Sequence, residues 1–243
     1  RDEGSMRAWL TDAACGDQEG LERLVNTAQL SDQVSRVSCK KPWYSRTPNF
    51  RYSVVAVDGG IKHNIIRRLN QKGCNVTVVP YDTPADTLMA LRPDGLFLSN
   101  GPGDPADVQP VVELVKTLQG KLPIFGICLG HQVIALANGA MTYKMKYGHR
   151  GGNHPVKNMD TGKVEMTSQN HSYAVDAQSL QGTSLELSHI NLLDQTAEGL
   201  RNESQHIFSV QYHPESAPGP QDSDYLFDIF IKYMQAQKEG ANA

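Results

Sequence analysis

The sequence predicts an α/β fold: an open, mostly parallel, twisted sheet with helices on both faces, plus a small N-terminal remnant. Two observations carry this. Between residues 52 and 127, short and almost wholly apolar runs alternate with helix-period stretches, the pattern of βαβ units whose strands are covered on both sides. The 243 residues are enough for one sizeable α/β domain and an appendage, or for two small domains, and no internal repeat appears at any fixed period.

The first fifty residues stand apart. They begin with Arg1, contain one plausible helix from Gln18 to Ala28 with Leu21, Leu24 and Val25 on one side, and then lose periodicity. Lys40 to Pro48 is a basic, proline-punctuated stretch that reads as a linker. Its aromatics, Trp43 and Tyr44, suit packing against a neighbouring domain better than stacking on nucleic acid bases. Residues 1–50 are therefore expected to be the tail of a domain and its linker, residues 51–237 the main domain, and 238–243 a C-terminal tail.

Tyr52 to Val57 is a buried-strand run ending at Asp58-Gly59-Gly60. A helix follows with Ile65, Ile66 and Leu69 inward and Lys62, Arg67 and Arg68 in water, and Gly73 stops it. Val76 to Val79 gives the second strand. Thr83-Pro84 is expected to cap a short helix running to Leu91, with proline at its first position. Gly95 to Leu98 is the third strand, Gln109 to Leu118 a helix, and Leu122 to Ile127 the fourth strand, followed by a helix from His131 to Asn138. Beyond Ala140 the pattern changes to short strands with polar turns: Val164–Thr167, Tyr173–Val175, Ser184–Ile190 and Ile207–Gln211. A last amphipathic helix spans about Tyr225 to Ala236.

Chemistry gathers at three loops. Gly126-Ile127-Cys128-Leu129-Gly130 places a cysteine between two glycines where a strand turns into a helix, a nucleophile elbow with sulfur for oxygen. The flanking glycines let strand and helix approach, and the positive end of the helix dipole faces the thiol, which favours its reactive form. Ser99 to Pro105 follows the third strand, and His213-Pro214-Glu215 follows a late one. Ligands of open α/β sheets bind at the carboxyl ends of strands, where all three loops fall. Cys128 would attack a carbonyl carbon, His213 would take the thiol proton and return it to a leaving nitrogen, and Glu215 would hold the imidazole in register. Backbone N–H groups at Leu129 and in Gly101-Pro102-Gly103 could stabilise the oxyanion, each worth roughly 3 kcal/mol when aimed beforehand. Each motif alone could be a structural turn; their joint order after strands is what argues for a site. His131 starts a helix and is not favoured as the base.

Other classes fall away. Lys and Arg number 23 against 26 Asp and Glu, so nothing marks a nucleic-acid binder. No apolar run is long enough for a membrane span, and no signal-peptide pattern opens the chain. The four cysteines are widely spaced without a CxxC pair, which points to a reducing, cytoplasmic setting with no metal; Cys15, Cys39 and Cys74 are read as inert core residues.

Phe125 to Gln132, the SNGPGDP stretch at 99–105 and HPE at 213–215 resemble the class I (triad) glutamine amidotransferases, over about residues 52–237. Lys146 to Val156, Thr167 to Val175 and Ser216 to Pro220 are similar, within that class, to the small glutaminase subunits of carbamoyl phosphate synthetases. The resemblance implies a flavodoxin-like sheet, hydrolysis of L-glutamine through a thioester on Cys128, and ammonia delivery to a large synthetase subunit. It implies no cofactor in this chain, with ATP and magnesium used by the partner. By the same resemblance Gln132, Asn170, Ser172 and Tyr173 hold the amino-acid end of the substrate, with backbone contacts from Gly101, Gly103 and Leu129. Relatives tend to carry an aromatic within Asp58-Gly59-Gly60, and a glycine at 172; a serine that their N-terminal domain lends to the site is expected to be missing here. Another class I amidotransferase, a free-standing γ-glutamyl hydrolase and a glutamine-sensing regulatory subunit remain the alternatives.

Overall fold

Alternate residues of the strand Tyr52–Asp58 face opposite sides of the sheet, and both sides are apolar. Val55 and Val57 enter one core with Leu96, Leu98 and Ile134, while Val54 and Ala56 enter another with Phe97, Phe125 and Phe230. A strand buried on both faces has to lie inside a layered sheet. The structure, a computed structural model, describes residue 10, residues 16–26 and residues 31–241.

In chain order the elements are α1 (Gln18–Asn26), α2 (Gln33–Val37), β1 (Trp43–Ser45), β2 (Tyr52–Asp58), α3 (His63–Gln71), β3 (Cys74–Pro80), α4 (Ala85–Ala90), β4 (Gly95–Leu98), α5 (Gln109–Leu118), β5 (Ile124–Ile127) and α6 (Leu129–Ala137). They continue with β6 (Thr142–Asn158), β7 (Val164–Val175), β8 (Glu186–Asn191), β9 (Ala197–Asn202), β10 (Ile207–Val210) and α7 (Tyr225–Ala241). The strand order is β1-β3-β2-β4-β5-β10-β9-β7-β6-β8.

The sheet is mixed, and this corrects the expectation of a mostly parallel one. Strands β3, β2, β4, β5 and β10 run parallel. β1 joins one edge antiparallel, and β9, β7, β6 and β8 continue the other side antiparallel, with β8 also pairing β9 so that this half closes on itself. The antiparallel half is hard to read because its long strands carry functional rather than apolar patterning. In β6 only His149 and Val156 of 17 residues are buried, and register shifts interrupt its pairing with β7. The two short strands expected at Val164–Thr167 and Tyr173–Val175 are the ends of one strand, β7, whose polar middle reads as a loop.

Smaller differences have local causes. Thr83 does not cap α4: its hydroxyl donates to the Pro80 carbonyl at 2.8 Å, Pro84 takes the cap position and the helix begins at Ala85. Trp43 packs against the second core and tilts over His63 with ring centroids 5.9 Å apart, the packing role expected of it, while Tyr44 is exposed. Cys74 is fully buried and Cys39 half-buried; Cys15 lies outside the described residues, as does the end of the helix expected to reach Ala28. Among the described residues no helix is long and apolar enough to cross a membrane.

Candidate active site

Strand β5 delivers the chain to Cys128, and α6 carries it away. Cys128 has φ +54° and ψ −101°, a conformation costly for a residue with a side chain. Its amide donates to the Val210 carbonyl at 2.9 Å, and its carbonyl accepts from Gln132 N at 3.2 Å. The flanking glycines are there for space. A Cβ on Gly126 would lie 2.7 Å from the Gly130 carbonyl carbon, and one on Gly130 only 2.4 Å from the Leu98 carbonyl oxygen. Strand β4, strand β5 and helix α6 meet at backbone contact, which forces the turn and leaves Cys128 facing a cleft.

That cleft, about 750 Å³, is lined by loops after β2, β4, β5 and β10 and by the middle of β7. Of the residues expected in the site, Cys128, His213, Gly101, Gly103, Gln132, Asn170, Ser172 and Tyr173 all line it. Glu215 sits behind His213, fully buried, and Leu129 lies beneath the wall as the first residue of α6, where its N–H has no intrahelical acceptor. His131 points away, buried against Ser209 Oγ at 3.0 Å.

His213 is hydrogen-bonded to Cys128, and its Nδ1 lies 2.9 Å from Glu215 Oε1. Its backbone is pinned by a bond from its N–H to the Ser168 carbonyl of β7, 2.9 Å long. Burial alone would push the ring's pKa down, but the bonds to Cys128 and Glu215 and their charges lift it to about 9. The ring thus holds, at neutral pH, the proton that a leaving nitrogen needs. Burial would raise Glu215, but His213 and then Lys62 hold its carboxyl below the usual range.

Lys62 is the residue that the sequence assigned to water. Its Nζ reaches Glu215 Oε1 at 2.9 Å, while Asn64 Nδ2 donates to the Glu215 carbonyl oxygen. Glu215 Oε2 is buried with no hydrogen-bond partner among the described residues, so Lys62 and His213 together carry the compensation of this carboxylate. Replacing Lys62 by methionine is expected to lower turnover about three- to tenfold, as befits one charge-assisted bond at a half-exposed lysine. Because Lys62 holds the Glu215 pKa down, the acid limb of the activity profile should move to higher pH, which a pH–rate comparison reads.

The floor of the cleft is set by Gln132, whose Nε2 donates to the Tyr173 carbonyl at 2.9 Å and to Gln211 Oε1 at 2.8 Å. The Tyr173 hydroxyl bonds to Asp104, and Ser172 Oγ accepts from Arg150 at 2.6 Å, so the side chain at 172 faces β6. Gly101 fits only as glycine: a Cβ there would be 2.3 Å from the Gly59 carbonyl oxygen. Gly59 itself is enclosed, with Asn100 O and Leu129 Cδ2 each 3.2 Å from an added Cβ, so its lack of a side chain leaves no gap. Ser31 and Gln33 also line the cleft, so residues before 50 do contribute to the wall, a serine among them. Nothing in the composition of that segment signals this.

Five buried histidines set the acid and alkaline limits of stability. His131 and His171 are held near 3 and His189 near 4, each mainly by burial, whereas Glu198 and Asp194 lift His149, and Cys128 and Glu215 lift His213, to about 9. Below pH 6.5 the unfolded chain binds protons that the first three cannot take when folded, so stability falls with pH. Asp194 and Glu215, held low, act the same way in acid; Glu198, raised by burial, opposes them. Above pH 6.5 the folded state retains two protons that the unfolded chain releases, and that stability is lost by about pH 9. Urea midpoints across pH should therefore peak near 6.5, and a maximum above pH 8 would contradict these assignments.

Residues 55–233 match the family described as glutamine amidotransferase class-I. The chain belongs to this family. It is 52% identical over 239 residues to the carbamoyl phosphate synthase small chain of Staphylococcus epidermidis, covering 98% of this chain and 65% of that one. With the small chain of Listeria innocua the identity is 51% over 240 residues, covering 99% and 66%. The chain thus spans about 65% of the length of the curated relatives it matches. Among solved structures, a putative GMP synthase subunit from Thermoplasma acidophilum superposes with a TM-score of 0.68 at 25% identity, covering 79% of this chain and 98% of that one.

Proposed function

We propose that the chain is the glutamine-hydrolysing component of a carbamoyl phosphate synthase. Residues 51–237 form the glutaminase domain; the preceding residues add β1 to its sheet and Val34 of α2 to its core, and α7 continues to Ala241 rather than ending in a separate tail at 238. The observation that carries the reading is Cys128 at a strained elbow, bonded to a buried His213 that Glu215 holds at 2.9 Å. Identity near 50% with small chains over nearly the whole of this chain supports the choice of synthase over other amidotransferases.

The chemistry follows from those groups. The Cys128 sulfur adds to the side-chain amide carbon of L-glutamine, and the oxyanion is met by N–H groups at Leu129 and in the Gly101–Gly103 turn. His213 gives its proton to the departing nitrogen, so ammonia leaves and a γ-glutamyl thioester remains. Water then adds with His213 as base, and glutamate leaves as the thiol is restored. Gln132, Asn170, Ser172 and Tyr173 hold the α-amino and carboxylate ends. Ammonia is consumed by a large synthetase subunit, where ATP and magnesium act; this chain needs no cofactor of its own. A cytoplasmic setting fits free cysteines and a soluble substrate. Incubation with glutamine, with and without a co-purifying large subunit, tests the reading: glutamate release supports it, and none in either case would overturn it.

A further inference from the structure

A second buried cluster backs the cleft wall. His149, His171 and Glu198 bring ligand-type atoms within 4.8 Å of one another, a grouping that would suit a metal ion. Gln169 fills the space between the two rings instead. Its Oε1 lies 2.7 Å from His149 Nδ1 and 3.0 Å from His171 Nε2, and its Nε2 donates to Glu198 Oε2 at 3.1 Å. Hydrogen bonds close this cluster.

His149 is clamped from both sides. Its Nε2 lies 2.8 Å from Asp194 Oδ2 and its Nδ1 3.3 Å from Glu198 Oε1. Burial would lower its pKa, but the bonds to Glu198 and Asp194 raise it to about 9, so both nitrogens donate at neutral pH. A ring with two donors fixes the Gln169 carbonyl oxygen toward it. The packing then runs to the cleft: His171, neutral, has one N–H, and its Nδ1 lies 2.7 Å from the Tyr173 carbonyl, the same oxygen that receives Gln132 Nε2 at 2.9 Å, so Gln169 meets the Nε2 edge of the ring by contact rather than by a donated bond.

We infer that His149 is a positioning residue for the substrate cleft, acting through Gln169 and His171 on the Tyr173 carbonyl from which Gln132 hangs. Its kinetic consequence rests on the glutaminase reading; its protonation does not. Without the donor at Nδ1, Gln169 Oε1 loses its partner and the side chain is held only through Nε2, at Glu198 and Thr167, so His171 loses a fixed neighbour and Tyr173 and Gln132 lose alignment. Cys128 and His213 stand on the β5 and β10 loops, so substrate binding suffers before chemistry does.

The test compares glutamate release by the wild-type protein and by His149→Ala, His149→Asn and His149→Gln. Asparagine places an amide nitrogen near the position of Nδ1, and glutamine places one near Nε2. His149→Ala should raise KM about tenfold, the worth of one bond to a charged group, with kcat changed less than about twofold. His149→Asn should recover most of the loss and His149→Gln little. Equal behaviour of the asparagine and glutamine variants, or a fall in kcat at constant KM, would overturn the inference. Nitrogen-15 imidazole spectra of the wild-type protein at neutral pH provide a test independent of turnover and of variant folding. Both His149 nitrogens should be protonated; a neutral His149 overturns the inference. A wild-type protein that releases no glutamate sinks the functional reading and leaves this spectral test standing.

Discussion

Replacing Cys128 by alanine is expected to abolish glutamate release, by a factor of at least about 10³, while leaving the fold intact. The sulfur is the only protein atom in the proposed chemistry that bonds to substrate carbon. His213→Asn should cost nearly as much, because the ring both receives the thiol proton and supplies the one that leaves with nitrogen. The double variant should be little worse than either single one, since the two act as a unit. Additive losses would mean that His213 serves something other than Cys128. Thermal unfolding of Cys128→Ala separates chemistry from stability: the alanine keeps the strained φ of +54°, so its midpoint should stay close to the wild-type value.

Gly130→Ala is expected to have the largest effect on stability. Its methyl would sit 2.4 Å from the Leu98 carbonyl oxygen and 2.8 Å from Leu98 Cβ, both belonging to a central, fully buried strand. Neither side can yield cheaply. Leu98 pairs with β2 on one side and β5 on the other, and α6 is held by a Gly130 N–H bond to the Ser99 carbonyl at 3.2 Å. Overpacking of this kind costs about 3 kcal/mol. For a domain of this size that is a melting-point drop of roughly 6–12 °C. Activity should fall as well, because separating α6 from β4 turns the elbow. By contrast, Gly139→Ala, where no atom lies within 4 Å of an added Cβ, meets no steric barrier, though its φ of +87° favours glycine. A Gly130→Ala protein as stable as wild type would show that the close approach is not what fixes the turn.

The parallel half of the fold is legible because its strands are buried on both faces, so that apolar runs such as Val54–Val57 and Leu96–Leu98 announce themselves. The elbow is legible because its geometry demands glycine at 126 and 130, a requirement visible as residue type. The antiparallel half is not. β6 holds its place by pairing with β7 and β8 rather than by burying a face, and Gly148, Gly151 and Pro155 read as breakers. Strand β9 escapes a sequence reading because the buried Glu198 and Gly199 in its middle break the apolar pattern.

The site divides in the same way. Nucleophile, base and orienter follow from residue type and order, whereas their supports come from tertiary contacts between segments far apart in sequence. Lys62 looks like a solvent-facing helix residue and reaches Glu215, far along the chain, only because β2 and β10 end on the same side of the sheet. Ser31 and Gln33 carry no motif at all. Gln211, which receives Gln132 Nε2, is buried at the end of β10, where sequence pattern shows only a strand terminus.

The central claim is that glutamine is opened by the Cys128 sulfur. Its most direct test is intact-protein mass spectrometry after rapid acid quenching during turnover with glutamine, followed by peptide mapping. A single γ-glutamyl adduct is expected on the peptide containing Cys128, absent from Cys128→Ala and present, at slower turnover, in Lys62→Met. Glutamate release that persists in Cys128→Ala, or an adduct that maps to another residue, would contradict it.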